Sequence, residues 1–238
     1  MTRVFNFALS IVGLLVVTVG QASAGPIYTV PTSLSPGDSY RLAFLTSQTH
    51  DALSADIGVY NTFVDGLGDT VIASDWRAIA STESVDARDN TGTNPSSVGV
   101  PIFMLNDVLL ANNNADLWDG DIIPASGLNV METGNSDDAY VWTGSSPGGV
   151  KYAGGSLALG ANNAVNGLSW QADDYWVMQP TNGRHQGNLY RMYAMSDVLV
   201  VPEAAVPEPS SLILLGIGAV RLLGYRLRRK RKSSRVTS

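Results

Sequence analysis

Long apolar sequence is confined to the two ends of this 238-residue chain, and that division decides which part can fold as a domain. Residues 4–19 are largely apolar behind a positive start at Arg3. Residues 212–220 are apolar again, followed by Arg221 and a basic run that ends at Lys232. Terminal segments of this kind are read by export and membrane machinery and are set aside before fold reasoning. The independently folding part is therefore the middle, about 180 residues, which is enough for one domain with its own core.

The N-terminal stretch ends in Ala22-Ser23-Ala24, an A-x-A cleavage site, so residues 1–24 read as a signal peptide and the mature chain is expected to begin at Gly25. A permanent N-terminal anchor is the alternative; the small-residue site directly after the apolar run argues for cleavage. The C-terminal stretch has three parts. Pro207-Glu208-Pro209, within residues 206–211, cannot join a helix or a central strand, because each proline fixes φ and lacks an N–H. It is expected to stay extended and open to an enzyme. Residues 212–225 read as a short membrane helix, below the roughly 20 apolar residues of a full span. Arg221 would cost about 2.5–3.5 kcal/mol at mid-bilayer but can snorkel from the cytoplasmic end. The basic tail, residues 226–238, marks the cytoplasmic side. A surface amphipathic helix with a basic tail is the alternative reading. The order of triplet, apolar helix and basic cluster, residues 202–238 in all, resembles the PEP-CTERM sorting signal of Gram-negative bacteria. That resemblance implies an exosortase-type membrane enzyme as partner, which cuts near the triplet and passes the body onward. The precursor would sit in the inner membrane with a periplasmic body, and the product at the cell surface or outside it, with exopolysaccharide or a surface protein as further candidate partners.

Taking the ends away changes the charge argument. The whole chain has net charge −6, but residues 25–206 hold six Arg or Lys against twenty Asp or Glu, a net charge of −14. A nucleic-acid partner is excluded, since a phosphate backbone needs a basic face. There is no cysteine, which removes disulfides, zinc-thiolate sites and thiol catalysis together. The domain must stand on packing, with Trp76, Trp118, Trp142, Trp170 and Trp176 supplying much of the core.

Along the body, residues 25–39 look like an extended lead-in, and residues 40–46 alternate as a strand does. Asp51 can cap a helix over 52–67, where Ile57, Tyr60, Val64 and Leu67 have helical spacing. Residues 76–81 read as a short strand and residues 82–99 as a polar loop. Residues 101–105 and 108–111 flank Asn106-Asp107 as a hairpin. Residues 140–143 read as a strand, the Gly- and Asn-rich residues 144–169 as long loops, and residues 189–195 as a strong strand continued by 198–201. The fold class is α+β: short strands, one or two helices and long loops. Trp76-Arg77-Ala78-Ile79-Ala80-Ser81, Asp86-Ala87-Arg88-Asp89, residues 101–107, residues 113–120, Val141-Trp142-Thr143-Gly144 and residues 189–193 are similar to bacterial secreted proteins with a C-type-lectin-like domain, related to the endostatin-type domain. For residues 40–201 the resemblance implies a pairing of the N- and C-terminal strands, two helices and a second small sheet with long loops. The second helix would lie within 82–98.

The densest site candidate is residues 112–121. Calcium takes six to eight oxygen ligands, and Asn114, Asp116, Asp119 and Asp121 offer them beside Gly120, though without EF-hand spacing. The alternative is an Asx-rich turn whose side chains bond their own backbone. Asp137-Asp138 and Asp173-Asp174 are weaker acidic pairs. Sugar-binding C-type lectins use Glu-Pro-Asn or Gln-Pro-Asp with Trp-Asn-Asp; here Gln179-Pro180-Thr181 and Trp142-Thr143-Gly144 lack the acidic ligands, so no calcium-dependent sugar site carries over. Trp170, Tyr175 or Trp176 could stack on a sugar ring if exposed; core packing is their commoner fate. Two histidines, His50 and His185, are present without a Gly-x-Ser-x-Gly elbow or a His-Glu-x-x-His motif. The chain is expected to be no enzyme and to need no cofactor, calcium excepted.

Overall fold

A computed structural model describes residues 24–179, residues 182–203 and Arg221. The triplet Pro207-Glu208-Pro209, the membrane helix expected over 212–225, the basic tail, Ala22 and the Pro180-Thr181 step lie outside the described residues. No helix among the described residues is long and apolar enough to cross a membrane.

The fold is α+β, built on one mixed sheet. Its central strands are β1 (Ser39–Leu45) and β9 (Arg191–Met195), which pair antiparallel with Ala43 opposite Met195 and Leu45 opposite Tyr193. Strand β3 (Ile102–Met104) lies parallel to β1 on one side, and β4 (Leu109–Ala111) closes that edge as a hairpin through Asn106 and Asp107, where Asp107 takes φ 68°. On the other side β5 (Tyr140–Trp142) runs parallel to β9, with β7 (Asn166–Leu168) antiparallel at the far edge. The order is β4-β3-β1-β9-β5-β7, while β2 (Arg77–Ala78) pairs with β9 and β10 (Leu199–Val200) with β1. A separate ribbon joins β6 (Asn163–Ala164) to β8 (Arg184–His185). The first and last strong strands of the body thus lie side by side. Six of the seven β1 residues are buried, so this strand is covered on both faces as central strands are.

Helix α1 (Ile57–Gly68) begins five residues later than the sequence implies. Asp56, and not Asp51, caps it by accepting the Gly58 N–H at 2.9 Å. The intervening backbone is used elsewhere: Asp51 closes an Asx turn onto the Leu53 N–H, and the buried Ala52 donates its N–H to Gln186 O at 2.7 Å. Tyr60, Val64 and Gly68, spaced four apart, form the buried stripe of the helix. Gly68 leaves room for the Trp76 indole, which packs edge-on to Phe44 at 5.0 Å and donates Nε1–H to Ile72 O at 3.1 Å. The one-turn α2 (Ala87–Asn90) falls in the stretch read as loop, where the resemblance placed a second helix. A third short turn, α3 (Asn114–Leu117), follows β4.

Residues 144–169, read as loops, contain β6 and β7. Their glycines mark close approaches: a Cβ on Gly144, at φ 59°, would sit 2.7 Å from Leu159 N and 3.1 Å from Ala158 Cα. Trp76, Trp142 and Trp176 are fully buried, and Trp118 stacks on Trp176 at 5.8 Å in the same core. The lead-in before β1 has no regular structure but is fastened to the body, with Gly25 N–H donating to Gly134 O at 2.9 Å and Tyr28 N–H to Leu105 O at 2.7 Å. Entry and exit are fastened together: Gly37 N–H donates to Val201 O at 3.0 Å and Val201 N–H to Asp38 O at 2.9 Å.

Candidate functional site

The Asx-rich segment 112–121 is organised by its own backbone. Asn113 caps α3, its Oδ1 accepting the N–H groups of Ala115 (2.9 Å) and Asp116 (3.1 Å). Asp116 Oδ2 accepts from the Asn112 N–H at 2.6 Å and from Asn112 Nδ2 at 2.9 Å. Asn114 is buried at 1 % exposure and donates Nδ2–H to Ser97 Oγ at 3.0 Å and Ser97 O at 3.2 Å, while its Oδ1 is buried without a hydrogen-bond partner. Asp119 Oδ1 accepts the Asp121 N–H at 3.3 Å. Among the described residues no group of three or more His, Cys, Asp or Glu is placed to hold a metal ion. The weaker acidic pairs are partly engaged. Asp137 receives Arg191 Nε (2.8 Å) and Nη2 (2.5 Å), and Asp173 caps the turn at Asp174–Trp176 by accepting the Tyr175 N–H at 3.1 Å. Arg191 also donates to Thr46 O and Ser47 O, and Ser47 hydrogen-bonds Glu132 through its hydroxyl, so this cluster ties β9 to the end of β1.

The two histidines are apart in role. His50 donates Nδ1–H to Asp51 O at 2.7 Å, and its ring sits edge-on to Tyr60 at 5.4 Å and to Phe63 at 4.9 Å. His185 lies exposed on β8, its Nδ1 accepting the Gly187 N–H at 3.2 Å. Among the described residues neither ring is hydrogen-bonded to a serine hydroxyl, the arrangement a serine nucleophile requires.

The aromatic residues divide cleanly. Trp176 is core. Tyr175 is 40 % exposed and Trp170 is half-buried. Trp170 does not stand alone: its ring meets Tyr140 edge-on at 5.9 Å, Tyr140 meets Tyr190 at 5.3 Å, and Tyr190 meets the buried Trp142 at 4.6 Å. The Arg184 guanidinium lies 5.7 Å from the Tyr140 ring centroid. Sequence reasoning singled out Trp170 but missed Tyr140, Tyr190 and Arg184. The usable signal was the alternation Tyr140-Val141-Trp142, which puts Tyr140 and Trp142 on one face; the pairing that brings Tyr190 and Arg184 to that face is long-range.

The buried ionisable groups serve the scaffold. Tyr193 is fully buried, and burial pushes its phenol well above the usual range; burial also raises Tyr40 and Tyr60. Burial lowers the Arg41 pKa, opposed by Asp197, and Arg41 Nη1 donates to Ser196 O at 2.7 Å.

A search of curated proteins finds no match to the chain. Residues 205–232 match the family model of the PEP-CTERM protein-sorting motif, so the C-terminal tail of this exported chain is an exosortase-type sorting signal.

Proposed function

We propose that this chain is a non-catalytic protein of the cell surface or extracellular matrix, whose body is a passenger delivered by its tail. The match over residues 205–232 carries the delivery part of this reading. The exosortase-type enzyme would act near Pro207-Glu208-Pro209 on a membrane-held precursor, after a signal peptidase has released Gly25. The acidic body, at −14, suits a soluble exported domain. Local hydrogen bonds from Asn112 and to Asn113 support reading the Asx segment as a turn and not as a calcium site. Intact-mass measurement and cell fractionation test the proposal together. The expected product lacks residues 1–24 and the basic tail and leaves the cytoplasm; a soluble cytosolic chain that keeps residues 226–238 refutes it.

A second reading makes the body a lectin-like binding module. The pairing of β1 with β9 and the small β6–β8 ribbon favour it, as does the half-exposed ring cluster around Tyr140. A glycan array probed with and without chelator separates this module from an inert passenger.

A further inference from the structure

We propose that Tyr140, Trp170, Tyr190 and Arg184 form a calcium-independent binding site for neutral polysaccharide, a proposal that deepens the lectin-like reading and rests on it. A pyranose ring offers an apolar C–H face that stacks on an aromatic ring, and hydroxyls that accept hydrogen bonds from a guanidinium. The cluster supplies both. Tyr140 is 40 % exposed, although the next two residues of β5, Val141 and Trp142, are fully buried. A single exposed tyrosine needs no explanation. Three contiguous rings with a guanidinium over one of them form a built surface of the kind enriched where proteins bind.

The rings are held before any ligand arrives. The Ala139 N–H donates to Ser169 Oγ at 2.8 Å, the Ser169 N–H to Ala139 O at 3.0 Å, and the Ser169 hydroxyl to Asp137 O at 2.9 Å. Tyr140 and Trp170 each follow this buried tie by one residue, so their backbones are fixed against each other. Tyr190 exchanges both backbone hydrogen bonds with His50, at 2.8 and 3.1 Å, and its hydroxyl accepts from Asn188 Nδ2 at 3.2 Å. Rings fixed in this way lose little further freedom on binding. Arg184 stands on the β6–β8 ribbon with its Nε buried and unpartnered, and no carboxylate among the described residues pairs with it.

Charge selects the occupant. The body carries −14, Asp138 is exposed beside Tyr140, and the nearby Arg191 is neutralised by Asp137. One free guanidinium in that field disfavours a polyanion and leaves a donor for neutral hydroxyls. A protein partner, including a second copy, would need about 800 Å² on each side. Three partly exposed rings, each able to bury about 150–250 Å² at most, fall short of that.

Affinity electrophoresis of the full chain in nonionic detergent tests the site, using gels that contain galactomannan, hydroxyethylcellulose, alginate or no polysaccharide. The expected result is retardation in a neutral gel, unchanged by EDTA, with apparent affinity roughly fivefold to tenfold weaker for Tyr140→Ala and for Arg184→Ala. Arg184 lies outside the core, so its variant decides the matter if Tyr140→Ala fails to fold. Equal mobility in every gel, retardation in alginate alone, loss of retardation with EDTA, variants that migrate as the parent does, or a dimer that Tyr140→Ala abolishes would each overturn the proposal. Failure here leaves the tail's role untouched, because intact mass and fractionation measure that separately.

Discussion

Two glycines of α1 stand two residues apart, and alanine at each should move stability in opposite directions. Gly66 is exposed within the helix, and a Cβ there meets nothing within 4 Å. Alanine restores helix propensity and restricts the unfolded chain, a gain of about 0.5–1 kcal/mol. Gly68 would make the same gain, because its φ is ordinary, yet its Cβ would run into Cγ, Cδ1 and Cδ2 of the Trp76 indole, the last at 2.5 Å. Ordinary contact begins near 3.5 Å, so the ring or the helix end must yield by about 1 Å. Trp76 cannot yield cheaply: it is 1 % exposed, wedged against Phe44 at 5.0 Å, and held by its Nε1–H bond to Ile72 O and by its backbone N–H bond to Asp65 Oδ1. Overpacking of this kind costs about 1–3 kcal/mol. Set against the propensity gain, and weighted to the upper end by the rigid neighbour, Gly68→Ala is destabilising by about 1–2 kcal/mol. For a domain of this size that lowers the thermal midpoint by roughly 2–8 °C, while Gly66→Ala raises it by roughly 1–4 °C. Tryptophan fluorescence during thermal unfolding reads both. A Gly68→Ala chain at least as stable as Gly66→Ala would refute the packing argument at Trp76.

Asp56→Ala removes the cap of α1 and should cost about 0.5–2 kcal/mol, seen as a lower urea midpoint at unchanged slope, whereas Asp51→Ala should cost less, because its turn lies outside the helix. Tyr40, Tyr60 and Tyr193 have folded-state pKa values raised above the unfolded value of about 10. The stability they contribute is complete below that value and is lost as pH rises beyond it, so alkaline unfolding should coincide with cooperative appearance of phenolate absorbance. Gradual, non-cooperative ionisation of all tyrosines in a folded chain would contradict their burial. Replacing Pro207 and Pro209 by alanine lets the triplet enter a helix, and intact mass should then show the basic tail retained in the membrane fraction.

The strands that recur with strong apolar content were legible in the sequence, and so was the hairpin at Asn106-Asp107, because local chemistry settles them. The helix starts after Asp56 and not after Asp51, because the hydrogen bond from Ala52 to Gln186, 134 residues away, draws off the backbone behind Asp51, and no local pattern signals that contact. Residues 163–168 looked like loop because Asn and Gly are poor strand formers. Residues 163–164 pair with β8, and residues 166–168 pair because β5 offers an open edge and because Gly167 lets the backbone pass the Trp176 carbonyl, where a Cβ would lie 2.8 Å from its carbon. The ring cluster is hidden in the sequence for a related reason: Trp170 reaches Tyr140 only through the pairing of β5 with β7, and Arg184 only from the separate β6–β8 ribbon. The sorting tail was legible throughout, since its three parts act through composition and order and need no partner in the fold.

The fastening of Val201 to Gly37 and Asp38 has a mechanical meaning for force applied at the C-terminal end of the body. Tension arriving through residues 202–206 meets those two hydrogen bonds first and then the two-residue pairing of β10 with β1, so the strand peels bond by bond. Releasing residues 197–201 adds roughly 15 Å of slack. A pull on this end of the body is thus absorbed by a replaceable edge strand before the β1–β9 pair carries load.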